Sequence, residues 1–68
     1  MTNYNIHSFI KTQLLYAEQM PCDAEFFKHN AYGAVSWELY RTNDQTLEEQ
    51  WEKVYAPKFD AIIRNYHF

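Results

Sequence analysis

Helices are the regular structure that this chain favours, because it lacks the residues that turn one strand back onto another. It contains one glycine, Gly33, and two prolines, Pro21 and Pro57, among 68 residues. Short hairpin loops depend on dipeptides such as Asn-Gly and Asp-Gly, and no run alternates apolar and polar residues as a half-buried strand does. Apolar residues instead recur at helical spacing. The sequence therefore predicts an all-α protein.

Three helices are predicted, and the short loops between them favour a three-helix bundle. Residues 1–68 then form one small domain. The first helix spans about 4–19, with Asn3 or Asn5 as its N-cap. Pro21 follows its end, since the residue before a proline is driven out of helical geometry.

The third helix is predicted to begin at Thr46, whose hydroxyl matches the carboxylate of Glu49 in a capping box. Pro57 disturbs this helix, because proline does not fit an unperturbed helix interior. Counting 100° per residue, the apolar face after Pro57 is rotated by roughly 80° from the face before it. The sequence therefore predicts that the last helix is kinked or broken at Pro57.

The middle helix is predicted to span about 23–41, with Asp23 as a good N-cap residue, and apolar residues occupy two of its sides. One side carries Phe27, Ala31, Tyr32, Ala34, Val35 and Leu39. The nearly opposite side carries Phe26, Gly33, Trp37 and Tyr40. Such a helix usually lies between neighbours. Gly33 lowers helix propensity by about 1 kcal/mol relative to alanine, and close packing of another helix, or a local break, would explain it.

Aromatic residues are more numerous than one small core readily hides: the chain has five Phe, six Tyr and two Trp. In one interpretation the other two helices cover both sides of the middle helix. In the other, the second side is an apolar patch that binds a second copy or a different protein, since Trp and Tyr are preferred interface anchors. The predicted interface consists of Phe26, Trp37, Tyr40, Leu15 and Tyr66. We therefore expect a non-enzymatic interaction module that self-associates through an aromatic patch.

An acidic cluster at the start of the third helix suggests an alternative function. Its members are Asp44, Glu48, Glu49 and Glu52. Acidic side chains there complement the helix dipole, and Glu49 is spaced to pair with Lys53. Alternatively, the cluster imitates a nucleic-acid backbone and inhibits a host enzyme. A third hypothesis is a helical DNA-binding regulator, although the net charge is −3 and such proteins carry a basic stripe.

No catalytic, cofactor or metal site is predicted. The strongest candidate ligands, His7, His29, His67 and Cys22, match no zinc-binding spacing. Cys22 precedes a helix start, where a thiolate is favoured, but no third group is evident to orient His29 as its base. A lone cysteine is typical of the reducing cytoplasm, and neither a signal peptide nor a transmembrane stretch is evident. We therefore expect a cytoplasmic protein whose partner is another protein. We expect no association with a membrane, no small-molecule substrate and, given the net charge, no binding of nucleic acid.

Polar residues interrupt the predicted apolar faces at three positions, Gln13, Glu38 and Lys58. Because a buried charge must be paired or hydrogen-bonded, we expect Glu38 to form a network with Lys58 or Gln13 that fixes the helix register. The competing interpretation places these faces at a subunit interface.

About half of the chain carries motifs that resemble those of a known group of proteins. The motifs are Ala31-Tyr32-Gly33-Ala34-Val35, Trp51, Tyr55-Ala56-Pro57-Lys58-Phe59 and Ile62-Ile63. They are similar to small uncharacterised helical proteins of phages, prophages and mobile elements in Gram-positive bacteria. The resemblance implies the cytoplasm of a bacterial host and an accessory or host-modulating role, and it implies no activity or site residues.

Overall fold

The computed structural model describes residues 5–66, and within this range the predicted all-α class is confirmed, with no strand. Helix α1 spans Ile6–Gln19. A 3₁₀ turn, Pro21–Asp23, leads into helix α2, which spans Ala24–Thr42. The third segment is helical throughout and consists of α3 (Gln45–Gln50), a π-helical turn (Trp51–Tyr55) and α4 (Ala56–Tyr66).

The start of α1 is fixed by the side chain of Asn5. Its Oδ1 accepts hydrogen bonds from the backbone N–H groups of His7 and Ser8, at 2.9 and 3.3 Å. Both N–H groups belong to the first turn and have no acceptor within the helix. Asn5 is therefore one of the two predicted caps; the other candidate, Asn3, and the predicted first residue, Tyr4, lie outside the described residues.

The start of α3 is fixed by Asp44, so the predicted capping box at Thr46 and Glu49 is wrong. Asp44 Oδ1 accepts from the backbone N–H groups of Thr46 and Leu47, at 3.0 and 3.3 Å. A charged carboxylate forms stronger hydrogen bonds than a hydroxyl, and the helix begins directly after it. Glu49 instead accepts a hydrogen bond from Lys53 Nζ at 2.8 Å, as its i,i+4 spacing predicts.

The junctions at the two ends of α2 differ in how they are capped. Asp23 occupies the predicted N-cap position, but its side chain makes no capping hydrogen bond, and the residue belongs to the 3₁₀ turn. At the other end, Asn43 adopts a left-handed conformation, with φ 55° and ψ 41°. Its N–H donates to the Leu39 carbonyl at 2.7 Å, and asparagine tolerates this conformation better than most residues. The chain therefore turns within two residues, Asn43 and Asp44.

The π-helical turn Trp51–Tyr55 lies directly before Pro57 and explains the rotated apolar face. A π turn holds more residues than an α turn because its hydrogen bonds join residues i and i+5. In a regular α-helix, residues four apart are rotated by about 40° from each other. The wider π turn offsets this rotation, and Trp51, Tyr55 and Phe59 are all buried on one side. A bend of the helix axis at Pro57 stays a prediction.

The core lies where the three helical segments meet. α1 packs against α2, and both pack against α4. The most completely buried residues come from every segment: Ile10, Ala17, Ala24, Ala31, Val35, Leu47 and Phe59. Three of these are alanines, which permit close helix contacts but contribute little apolar area. The interior is therefore small, and the sides of the helices that face away from it stay exposed.

The expected network around Glu38 is wrong. Glu38 Oε1 accepts a hydrogen bond from Arg41 Nη2 at 2.8 Å, one turn along α2. Lys58 is exposed, because its long stem carries the ammonium group into solvent. Gln13 is buried as expected, and within the described part of the chain its Oε1 has no hydrogen-bond partner. The helix register is therefore not set by a buried charge network.

Replacing Gln13 with leucine is expected to stabilise the fold by about 1–2 kcal/mol. A buried acceptor without a hydrogen bond costs about 1–3 kcal/mol, and leucine restores apolar contact at similar volume. Thermal unfolding followed by circular dichroism should show a midpoint higher by roughly 4–8 °C per kcal/mol. Gln19→Leu, at the exposed end of α1, is the matched control. A lower midpoint for Gln13→Leu would mean that the amide oxygen is hydrogen-bonded in solution.

Candidate interaction surface

Only one of the two apolar sides of α2 is buried. The core side contains Ala24, Ala31 and Val35, each no more than 1% exposed. On the opposite side, Phe26 is 62% exposed, Trp37 63% and Tyr40 85%. The other described helices therefore cover most of the first side, although Tyr32, predicted to lie on it, is 52% exposed, and they leave the second side to solvent. We name this exposed side, defined by Phe26, Gly33, Trp37 and Tyr40, the α2 aromatic face.

The rings of the α2 aromatic face are held in place by their neighbours. Trp37 and Tyr40 are stacked, with ring centroids 6.0 Å apart and planes inclined by 19°. Phe26 meets Phe27 edge to face at 5.6 Å, and Phe27 in turn lies 5.6 Å from the ring of Tyr16 on α1. Rings that are already ordered lose less conformational freedom on binding. Phe26 is therefore linked to α1 through Phe27, and Trp37 and Tyr40 order each other.

Gly33 lies in the middle of this face, with open space beside it. Apart from the adjacent residues and the nearby backbone of α2, a β-carbon built there would meet no atom of the described residues within 4 Å. Both expected explanations are wrong, because none of the other described helices approaches Gly33 and α2 runs through it without a break. Its φ is not positive either, so the backbone geometry does not require glycine. Within the described residues, α2 therefore carries a helix-destabilising residue that no contact explains.

The predicted interface residues Leu15 and Tyr66 are exposed, each at 52%, but they border other parts of the surface. Tyr66 lines a depression between the ends of α1 and α4, together with Glu18 and Ile62. Trp37 borders a separate groove along α2. Leu15 projects from α1. The five predicted residues therefore do not form one patch, and the aromatic side chains of α2 are the part that shares a helix face.

The predicted acidic patch is partly neutralised within the chain. Asp44 is engaged as the cap of α3, and Glu49 is paired with Lys53. Glu48, Glu49 and Glu52 line a shallow depression, but Lys53 lines it too. A lysine among three carboxylates weakens the negative field. The cluster therefore imitates a phosphate backbone less well than its composition suggests.

The candidate metal ligands are dispersed. His7 Nδ1 lies 3.0 Å from the Tyr55 hydroxyl and links α1 to the π-helical turn. His29 and Cys22 are exposed, and His67 lies outside the described residues. In the part of the chain that the structure describes, no three His, Cys, Asp or Glu side chains are grouped to hold a metal ion. None of the described helices combines the length and apolar character needed to cross a bilayer.

Helical periodicity also misplaces several exposed apolar residues. It assigns Tyr16 and Met20 to the apolar face of α1 and Val54 to the face of Trp51, yet these three are 40%, 43% and 42% exposed. Met20 follows the end of α1, where the regular rotation stops. Val54 lies inside the π-helical turn, which rotates it away from the core. Pro21 and Pro57 are the sequence signals for the deviations of Met20 and Val54, respectively.

The α2 aromatic face is thus the surface feature from which a function can be argued. No protein-family model matches this chain, and no curated protein or solved structure matches it.

Proposed function

We propose that this chain is a non-enzymatic cytoplasmic interaction module that binds a protein through the α2 aromatic face. The observation that supports the proposal is the exposure of Phe26, Trp37 and Tyr40 along one side of a single helix. With about 200 Å² for a fully exposed aromatic side chain, the three present roughly 400 Å² to solvent. Trp37 and Tyr40, whose rings are stacked, account for roughly 300 Å² of this area as one patch, a size that is often functional on a monomer.

The proposal includes a rigid support for this face, in which the three helical segments form a three-helix bundle bent at Pro57. Contacts between every pair of α1, α2 and α4 support it. Lys28 Nζ, on α2, lies 2.6 Å from Asp60 Oδ1 on α4. The Tyr32 ring on α2 packs against Trp51 at 5.7 Å. These ties hold the buried side of α2 and so fix the direction of its exposed side.

Binding would remove the exposed rings from water while keeping their polar atoms at the edge of the contact. The hydroxyl of Tyr40 and the indole N–H of Trp37 are suited to such amphipathic anchoring. Arg41 lies beside them, and its guanidinium is held by Glu38 with further donors available at the rim. An apolar centre with a polar rim is the usual organisation of a protein–protein interface.

A variant that carries Phe26→Gln, Trp37→Gln and Tyr40→Gln is expected to stay folded and to bind its protein partner at least about 100-fold more weakly. Interface anchors of this kind contribute about 2 kcal/mol or more each, and glutamine keeps the helix propensity. Sedimentation of the pure protein and affinity capture of bound proteins measure binding, and circular dichroism measures the fold. Val54→Gln, also exposed and apolar in the wild type, is the control. Equal binding by wild type and the triple variant would contradict the proposal.

A second candidate is an acidic inhibitor of a host enzyme, which the resemblance to phage proteins also suggests. The depression lined by Glu48, Glu49 and Glu52 is the feature that supports it. Reversing these charges to lysine would abolish binding if the second candidate is right, and is expected to leave binding unchanged if the α2 aromatic face is used. The DNA-binding hypothesis has less support, because Lys28, Arg41 and Lys53 are engaged in ion pairs.

A further inference from the structure

The α2 aromatic face has the form expected of a surface that pairs with itself. We propose that two copies of the chain associate through this face as a two-fold symmetric dimer, with their α2 helices antiparallel and crossing at Gly33. The inference depends on the proposed function, since it names the partner of the same surface.

The empty position at Gly33 is the first argument for a helix as the partner. Its β-carbon position is open to solvent, and the backbone conformation is ordinary. Alanine would make α2 more stable, and the proposed contact with a second helix supplies a reason for glycine that the described part of the chain does not. Absence of a side chain lets the axis of a second helix approach to about 8 Å, the lower end of the range for packed helices.

The position of Gly33 is the second argument, because it makes the face symmetric. α2 spans Ala24–Thr42, and Gly33 is its central residue, since 33 − 24 = 42 − 33 = 9. In an antiparallel pair with the two-fold axis at Gly33, residues equally distant from it lie at the same height. Phe26 and Tyr40 are each seven residues away, since 33 − 26 = 40 − 33 = 7. Each copy would therefore place its Phe26 level with the Tyr40 of the other.

The side chains of Phe26 and Tyr40 also point toward the proposed contact. Counting 100° per residue, Phe26 and Tyr40 lie about 20° to either side of the direction of Gly33. Their rings would therefore enter the same contact, one pair on each side of the helix crossing. Trp37 and His29 are each four residues from Gly33, and both are exposed. Trp37 of one copy would therefore lie at the same height as the imidazole ring of His29 of the other copy, which is also planar.

Charge selects the antiparallel arrangement over the parallel one. Glu25 and Arg41 flank the α2 aromatic face and are each eight residues from Gly33. Antiparallel pairing puts the carboxylate of one copy at the same height as the guanidinium of the other at both ends of the contact, on opposite flanks of the helix pair, since each residue lies about 80° from the direction of Gly33. Parallel pairing would put like charges at the same height, which is unfavourable. The dipoles of two antiparallel helices also attract each other.

The available area suits a dimer of this kind. The three aromatic side chains alone expose roughly 400 Å² per copy, against about 800 Å² per partner in a standard interface. His29, Asn30 and Ser36 are exposed on the same side of α2 and extend the contact. Because the same surface is used by both copies, the association closes at two.

Gly33→Ala tests this inference through two properties that should change in opposite directions. Two added β-carbons would meet at the crossing, so the dissociation constant from sedimentation velocity is expected to rise at least ~10-fold. The thermal midpoint of the dilute monomer is expected to rise by about 4–8 °C, since alanine favours the helix. Thr12→Ala, exposed on α1 and outside the proposed contact, is the control and should leave the dissociation constant unchanged. An unchanged dissociation constant for Gly33→Ala would overturn the inference.

The proposed function can be judged separately from its partner. If the wild type sediments as a monomer at every concentration, self-pairing is wrong. The glutamine variant of Phe26, Trp37 and Tyr40 still tests the face itself, through loss of a captured protein of different sequence. If that variant and the wild type capture the same proteins equally, the proposed function fails as well.

Discussion

Phe59→Ala is expected to leave this chain without a stable fold at low protein concentration. Phe59 is completely buried on α4, and its ring lies 6.0 Å from that of Trp51. Removing a buried phenylalanine side chain costs about 3–5 kcal/mol, because apolar contact is lost and a cavity is left. At about 0.05–0.15 kcal/mol per residue, a chain of this size has a total free energy of unfolding of only roughly 3–10 kcal/mol.

Phe26→Ala is the matched control for this prediction. Phe26 is 62% exposed on α2 and contacts the ring of Phe27, so its truncation is expected to change the free energy of unfolding by no more than about 1 kcal/mol. Urea unfolding of dilute protein, followed by circular dichroism, measures both variants without a contribution from association. A cooperative transition at the wild-type midpoint for Phe59→Ala would show that α4 does not pack as described.

The helices themselves were predictable because several local signals agree. Apolar periodicity, Asn5 as a cap and Pro21 as a stop all favour the boundaries found for α1. The start of α3 was not predictable with the same accuracy, since Asp44 and Thr46 are both good caps and only two residues apart. The carboxylate prevails because it is the stronger acceptor. Adjacent cap candidates are therefore a local competition that sequence patterns do not resolve.

The π-helical turn shows a different limit of sequence reasoning. A rotation of the apolar face by roughly 80°, counted at 100° per residue, is visible in the sequence before and after Pro57. That rotation is compatible with a kink, with a break, or with one wider turn that restores the alignment of Trp51 with Phe59. Only the packing of both rings in one core distinguishes these outcomes. Such a choice depends on contacts between helices, which periodicity does not contain.

The α2 aromatic face was predictable as a second apolar side, but not as an exposed one. Its exposure depends on where α1 and α4 lie around α2. A helical-wheel projection of one helix contains no information on the positions of the other helices. The same limitation explains why Leu15 and Tyr66 were grouped with Trp37, although they project from other helices. The role of Gly33 was the least predictable, because the open space around it is evident only in the three-dimensional structure.

Leu14→Ala and Leu15→Ala are expected to affect different properties of the protein, although the residues are neighbours on α1. They project about 100° apart; Leu14 is 8% exposed and Leu15 52%. Truncation of Leu14 is expected to lower the free energy of unfolding by about 2–5 kcal/mol. Truncation of Leu15 should change it by no more than about 0.5 kcal/mol. Urea unfolding of the two variants side by side provides the measurement.

The pair also tests whether α1 contributes to binding. Leu15 is an apolar side chain left in solvent, as Phe26 and Trp37 are, but on a different helix. If binding is confined to the α2 aromatic face, Leu15→Ala should leave the dissociation constant of the dimer unchanged while Trp37→Gln weakens association. A similar loss of stability in both leucine variants would mean that α1 is rotated about its axis relative to α2. Because α1 supports the buried side of α2, that rotation would also change which aromatic rings reach the solvent.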